Sequence, residues 1–210
     1  MSKIITRLYD HFYDGEHAVI ELRRVGVADR DISLVSSKSN SRFDGVTVRP
    51  PQDQTAGDAA AVAGSEGAAA GVVVGAVGGI LAGLGLLAIP GLGPVVAAGW
   101  LASAAVGALA GGVVAGAAGG LVGALTHAGV SQEEADVYAE GVRRGATLVS
   151  ARVDDTQLIR AEAALNAVAH VDIAARGAVY RAGGWAGFDV HAPPLPPGDT
   201  AAEPDGRPPR

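Results

Sequence analysis

Gly67-Ala68-Ala69-Ala70-Gly71-Val72-Val73-Val74-Gly75-Ala76-Val77-Gly78-Gly79-Ile80-Leu81-Ala82-Gly83 opens a run of 66 residues, Gly67 to Gln132, that contains no Asp, Glu, Lys or Arg. Small residues recur at every fourth position in its first part, at Gly67, Gly71, Gly75, Gly79 and Gly83. The spacing returns at Gly99, Ser103, Gly107, Gly111, Ala115, Gly119 and Gly123. Residues four apart share one helix face, so both series predict apolar helices whose grooved surfaces let backbones approach closely. Between them lies Ile89-Pro90-Gly91-Leu92-Gly93-Pro94. Both prolines lack an N–H and disfavour helical geometry just before themselves, so Pro90, Gly91, Gly93 and Pro94 are expected to form a turn. The reading is a glycine-zipper helical hairpin over residues 67–130.

Gly67 to Ile89 is 23 residues, about 34 Å as a helix and enough for a hydrocarbon core of about 30 Å. In water each glycine would cost such a helix about 1 kcal/mol, which calls for a compensating environment. Two environments supply one. In the first, the hairpin enters the inner membrane and leaves both charged flanks in the cytoplasm. In the second, the protein is a cytoplasmic homo-oligomer in which hairpins from several chains bury one another.

Composition narrows the function classes. Hydrophobic residues make up 49% but aromatics only 4%, so the apolar content is mainly Ala, Val and Leu, without the bulk of an ordinary core. Eight Lys/Arg lie on each side of the run, with ten acidic residues before it and twelve after. That balance offers no basic face for nucleic acid. The absence of cysteine excludes disulfides, thiolate metal sites and cysteine nucleophiles. No secretory signal is read at the N-terminus, because Arg7 and Asp10 interrupt any apolar stretch.

The flanks read as an α/β domain. Ile4 to Tyr9 suits a strand; a helix follows, with Asp14 as its cap, Ala18, Val19, Leu22 and Val25 on one face, and Arg23 and Arg24 before Gly26. Ile32 to Val35 reads as a second strand. After the run, Ser131-Gln132-Glu133-Glu134 has the capping-box pattern and opens a helix that ends near Gly145. Thr147 to Val153, Asp155 to Val168 and Val171-Asp172-Ile173 then read as strand, helix and strand. Two such β-α-β units predict an α+β fold: a ferredoxin-like sheet of split halves, residues 1–35 and 131–176, with helices on one face and the hairpin inserted. Residues 36–66 read as a flexible linker. Residues 177–210 read as a Pro-rich, mostly disordered tail, ordered only where Trp185 and Phe188 find a pocket.

Several segments resemble the bacterial general stress proteins of the YflT type, in their long form with a glycine-rich insertion. The resemblance is carried by Ile5-Thr6-Arg7-Leu8-Tyr9-Asp10, Asp31-Ile32-Ser33-Leu34-Val35, the bend Ala88 to Leu101 and Val137-Tyr138-Ala139-Glu140-Gly141-Val142-Arg143-Arg144-Gly145. It implies a stress-associated protein with an α/β flank domain and supplies no catalytic residue.

No catalytic, cofactor or metal site emerges from the residues. His11, His17, His127, His170 and His191 lack the spacing of a helical zinc pair. Glu133, Glu134, Asp136 and Glu140 read as a solvated helix face, and no phosphate-loop pattern occurs. The expectation is a non-enzymatic protein, anchored to a membrane or oligomerised through its hairpin, with the α/β domain as an interaction or sensing module.

Overall fold

A computed structural model describes residues 2–37, 85–89, 92–102, 104–105 and 120–192. It is mixed α/β. Strand β1 (Ser2–Tyr9) leads into helix α1 (Phe12–Arg24), and a short 3-10 turn (Asp29–Asp31) precedes β2 (Ile32–Ser37). Strands β3 (Gly85–Ile89) and β4 (Gly93–Ala98) follow, then α2 (Leu121–His127), α3 (Gln132–Arg143), β5 (Thr147–Asp154), α4 (Leu158–Asn166) and α5 (Ile173–Ala182). The five strands form one sheet in the order β1-β5-β2-β4-β3, and every neighbouring pair is antiparallel.

β5 lies between β1 and β2. It pairs with β1 from Ser2↔Asp154 to Tyr9↔Thr147, and with β2 from Ile32↔Ala151 to Ser36↔Thr147. Helices cover both faces, not the one face expected. On one side Phe12, Val19 and Leu22 of α1 and Ala161 and Leu165 of α4 pack on Ile5, Leu34, Val149 and Ala151. On the other, Leu121 and Leu125 of α2 and Tyr138 and Val142 of α3 pack on Leu8, Val35, Val95 and Leu148. Two glycines bring the layers close. A β-carbon at Gly15 would lie 2.6 Å from Thr147 Cγ2, and one at Gly141 2.5 Å from Leu8 Cδ2.

Where two helices were expected to meet, the chain forms a β-hairpin. Residues 85–89 and 93–98 are strands, with Leu86↔Val96 and Leu87↔Val95 in register. The Leu92 N–H donates to the Ile89 carbonyl at 3.0 Å, so a turn does lie here. The physical reason is competition for backbone hydrogen bonds. Val95-Val96 favours a pleated strand, and β2 offers a free edge that β4 occupies from Leu34↔Ala98 to Ser37↔Val95. Gly99 closes that strand at φ +85, where a β-carbon would sit 2.1 Å from the Ile32 carbonyl oxygen. It is a corner residue, not part of a helical zipper.

Of the other expected packing residues, Gly123 lies in α2, Gly93 begins β4 at φ +79 and Pro94 lies within β4. Gly67, Gly71, Gly75, Gly79, Gly83, Ser103, Gly107, Gly111, Ala115, Gly119, Pro90 and Gly91 fall outside the described residues, as do the tail beyond residue 192 and residues 38–66 of the expected linker, whose first two residues, Ser36 and Ser37, instead end β2 because they pair with Val96 and Val95 of β4.

Two further expectations are corrected. Val171-Asp172-Ile173 is not a strand, because Asp172 caps α5 by accepting from the Ala175 N–H at 3.0 Å. The only strand-like contact left is Val171 N–H donating to the Leu8 carbonyl at 2.8 Å. The tail begins later than residue 177: α5 continues to Ala182, and residues 183–192 are laid along the domain.

The β-corner gives a direct test. Gly99→Ala should destabilise the protein by roughly 2–4 kcal/mol, read as a lowered denaturant midpoint, because both space and φ forbid the methyl group. A helix with Gly99 on its face would instead gain slightly from alanine.

Candidate functional site

One cleft lies where α1 ends, β2 begins and β5 ends. It has a volume of about 620 Å³ and is lined by Gly26, Ala28, Arg30, Asp31, Arg152, Val153, Asp154 and Gln157. Arg152 is held from several sides. Its Nη2 donates to the Arg30 carbonyl at 3.3 Å and lies 3.5 Å from Asp31, while its guanidinium sits 5.0 Å over the Trp100 ring. Asp154 organises the turn into α4, accepting from Thr156 N–H at 2.8 Å, Thr156 Oγ1 at 2.6 Å and Gln157 N–H at 2.9 Å. These bonds, led by the Thr156 hydroxyl, hold its carboxyl below the ordinary range. The charges lining the cleft balance, two arginines against two aspartates, so it has no net pull on either sign of ligand.

A second cleft of about 350 Å³ lies between α3 and α5, lined by Ser131, Glu133, Glu134, Val137, Ile173, Ala174 and Arg181. Ser131 accepts from the Glu134 N–H at 3.3 Å and donates to Glu134 Oε2 at 2.8 Å. The cap therefore forms, with the glutamate returning to the serine hydroxyl. Arg181 of α5 pairs with Glu133 across the cleft.

The sequence reading misplaced Glu140. Its side chain is only 1% exposed, so it does not belong to a solvated helix face. It accepts from Arg143 Nε and Nη2, both at 2.8 Å, and from Arg144 Nε at 2.7 Å. Arg144 also lies 4.4 Å from the Tyr180 ring centroid. The two arginines thus neutralise a buried carboxylate, and Arg144 links it to α5 through the Tyr180 ring. The pattern Glu140-x-x-Arg143-Arg144 carries the i, i+3 and i, i+4 spacing that pairs opposite charges, which is the signal that was available. Tyr9 and Tyr138 are likewise structural. Their hydroxyls donate to the Leu165 carbonyl at 2.9 Å and the Thr6 carbonyl at 3.1 Å, and burial pushes the Tyr138 phenol up to about 12.

The chemistry of these centres is positional. Buried hydroxyls satisfy one another within the sheet, Thr6 with Ser150 and Ser36 with Thr147, each at 2.9 Å. All five histidines are exposed. His17 meets Tyr13 Oη at 3.2 Å, and no described histidine bonds to a serine or threonine hydroxyl. Among the described residues no group of three or more His, Asp or Glu side chains is placed to hold a metal ion. The resulting surface can dock and can hold polar groups. Among the described residues no nucleophile is paired with a base.

Comparison of the chain with protein-family models, curated proteins and solved structures finds no match.

Two outcomes follow from the charges. Glu140→Ala should cost roughly 2–4 kcal/mol in chemical denaturation, because it strands two arginines, one of them largely buried. The Asp154 turn should contribute fully above the ordinary aspartate value of 3.8 and weaken as pH falls through the lower folded value. In Asp154→Ala that part of the acid sensitivity should vanish from a pH series of melting curves.

Proposed function

We propose that this chain is a non-enzymatic, stress-associated bacterial protein of the general stress type, oligomerised through its glycine-rich run. Its α/β domain is the interaction module, an elaborated ferredoxin-like plan in which β1-α1-β2 is split by β5. The observation that carries this reading is the capture of residues 85–89 and 93–98 by the sheet. The middle of the charge-free run pairs with β2, in the same sheet as β1 and β5. Residues 85–89 and 93–98 of the run therefore belong to the same sheet as the flanks.

The membrane reading keeps one observation in its favour, the 66-residue length of the uncharged run. Among the described residues no helix is long and apolar enough to cross a membrane. Insertion would also have to leave the Ile89–Pro94 bend beside the flanks, whereas a two-span hairpin carries its bend to the opposite side. Self-association asks for no such separation.

Expressed in bacteria and purified without detergent, the protein should run as an oligomer whose molar mass by light scattering rises with concentration. Replacing Gly107 and Gly111 by leucine should reduce that mass while leaving the α/β domain folded. A protein that remains monomeric would overturn the assembly reading. Flotation with lipid, with release only by detergent, would replace it with membrane anchoring.

A further inference from the structure

Residues 183–192 lie along the domain with few attachments. The Trp185 N–H donates to the Tyr180 carbonyl at 3.0 Å, and its ring meets Tyr180 edge-on with centroids 5.6 Å apart. Phe188 packs against the α2–α3 core cluster. The Gly183 N–H also donates to the Val179 and Tyr180 carbonyls, both at 3.1 Å, and the Gly184 N–H to the Arg181 carbonyl at 3.0 Å; beyond Trp185 the described hydrogen bonds are internal, from the His191 and Ala192 N–H groups to Asp189. Beyond Trp185 the stretch is held to the domain by the Phe188 ring with no described outward hydrogen bond, which places it at the low-stability end of a fold, where local opening precedes global unfolding.

Between the two anchors the chain passes a carboxylate. A β-carbon at Gly187, where φ is +150, would lie 3.9 Å from Asp136 Oδ2. Asp136 is half-buried, and its one described hydrogen bond comes from Gln132 Nε2 at 3.0 Å. The charged and titratable groups on the surrounding elements are otherwise engaged or exposed. Glu140 of α3 is held by its arginines, Glu133 of α3 pairs with Arg181 of α5, and Glu134 is occupied by Ser131. His127 at the end of α2, and Asp189 and His191 on the segment itself, are exposed. No described ion pair reaches Asp136.

We propose that residues 183–192 are a strap governed by Asp136: seated on α3 and α5 when that carboxyl is protonated, loosened when it is ionised. Covering an ionised carboxylate strips it of water without supplying a cation, so charge and strap compete for the same place. Loss of water is also the leading cause of the raised proton affinity of Asp136. A group that binds its proton more tightly in the seated state favours seating as pH falls through its seated pKa toward the ordinary value of 3.8. The seated-to-released ratio changes about tenfold for each unit by which the seat raises that pKa.

The test uses the full chain and the exchange of the Trp185 amide, corrected for intrinsic rates, at pH 7.5 and at pH 3.8, the ordinary aspartate value, with Val149 in β5 as the global reference. Protection at Trp185 should rise toward the lower pH in the native protein. Asp136→Asn should hold the low-pH level at both values, and Phe188→Ala should be weakly protected at both. His191→Gln should respond as the native protein does. Protection independent of pH, a response that survives Asp136→Asn, or one abolished by His191→Gln would each overturn the proposal.

Discussion

Everything in this fold depends on β5 entering between β1 and β2. The first flank supplies two strands that α1 sets apart by one strand width, and neither can satisfy its inner edge without β5. Once β5 is in place, β2 keeps one free edge, and β4 takes it. The sheet's hydrogen bonding therefore joins pieces of chain that lie far apart in sequence. Thr6 and Ser150, whose hydroxyls meet at 2.9 Å, are 144 positions apart.

Covering both faces changes what the central strands must contain. β2 is buried along its whole length, and β5 is buried over its first five residues. A strand with water on one side would spend its serines there. Here Ser33, Ser36 and Ser150 have no water to turn to, and each finds an oxygen nearby: Ser33 the Ala98 carbonyl at 2.7 Å, Ser36 the Thr147 hydroxyl and Ser150 the Thr6 hydroxyl. Paired in this way, the hydroxyls avoid the cost of burial without partners and fix strand register in a sheet poor in large side chains.

Local signals were legible where they were strong and self-contained. The strands around Ile5, Leu34 and Val149, the α1 stripe of Ala18, Val19 and Leu22, and the Ser131 cap all follow from period, propensity and capping chemistry. The turn around Ile89 to Pro94 was legible too, but not what it joins. Four-residue glycine spacing describes a helix face, and along Val95-Val96-Ala97-Ala98 the open edge of β2 outweighed it, a tertiary preference that no local window contains. Asp172 was read as part of a strand because the cap it provides becomes visible only once α5 exists. Glu140 looked solvated because burial depends on where α5 and Tyr180 come to rest. The clefts at Arg152 and Ser131 are assembled from distant segments, and sequence spacing carries no trace of them.

The place of β5 in the chain also sets an order of events during synthesis. β1, α1 and β2 leave the ribosome long before Thr147 to Asp154, and the entire uncharged run emerges while the inner edges of β1 and β2 are still empty. Pairing over such separations makes for slow folding, because loop-closure entropy must be met before the contacts that reward it. During that interval two bare strand edges and an apolar, glycine-rich segment are exposed together, the combination that molecular chaperones recognise in nascent chains. The sheet therefore cannot close before the last third of the chain has been made.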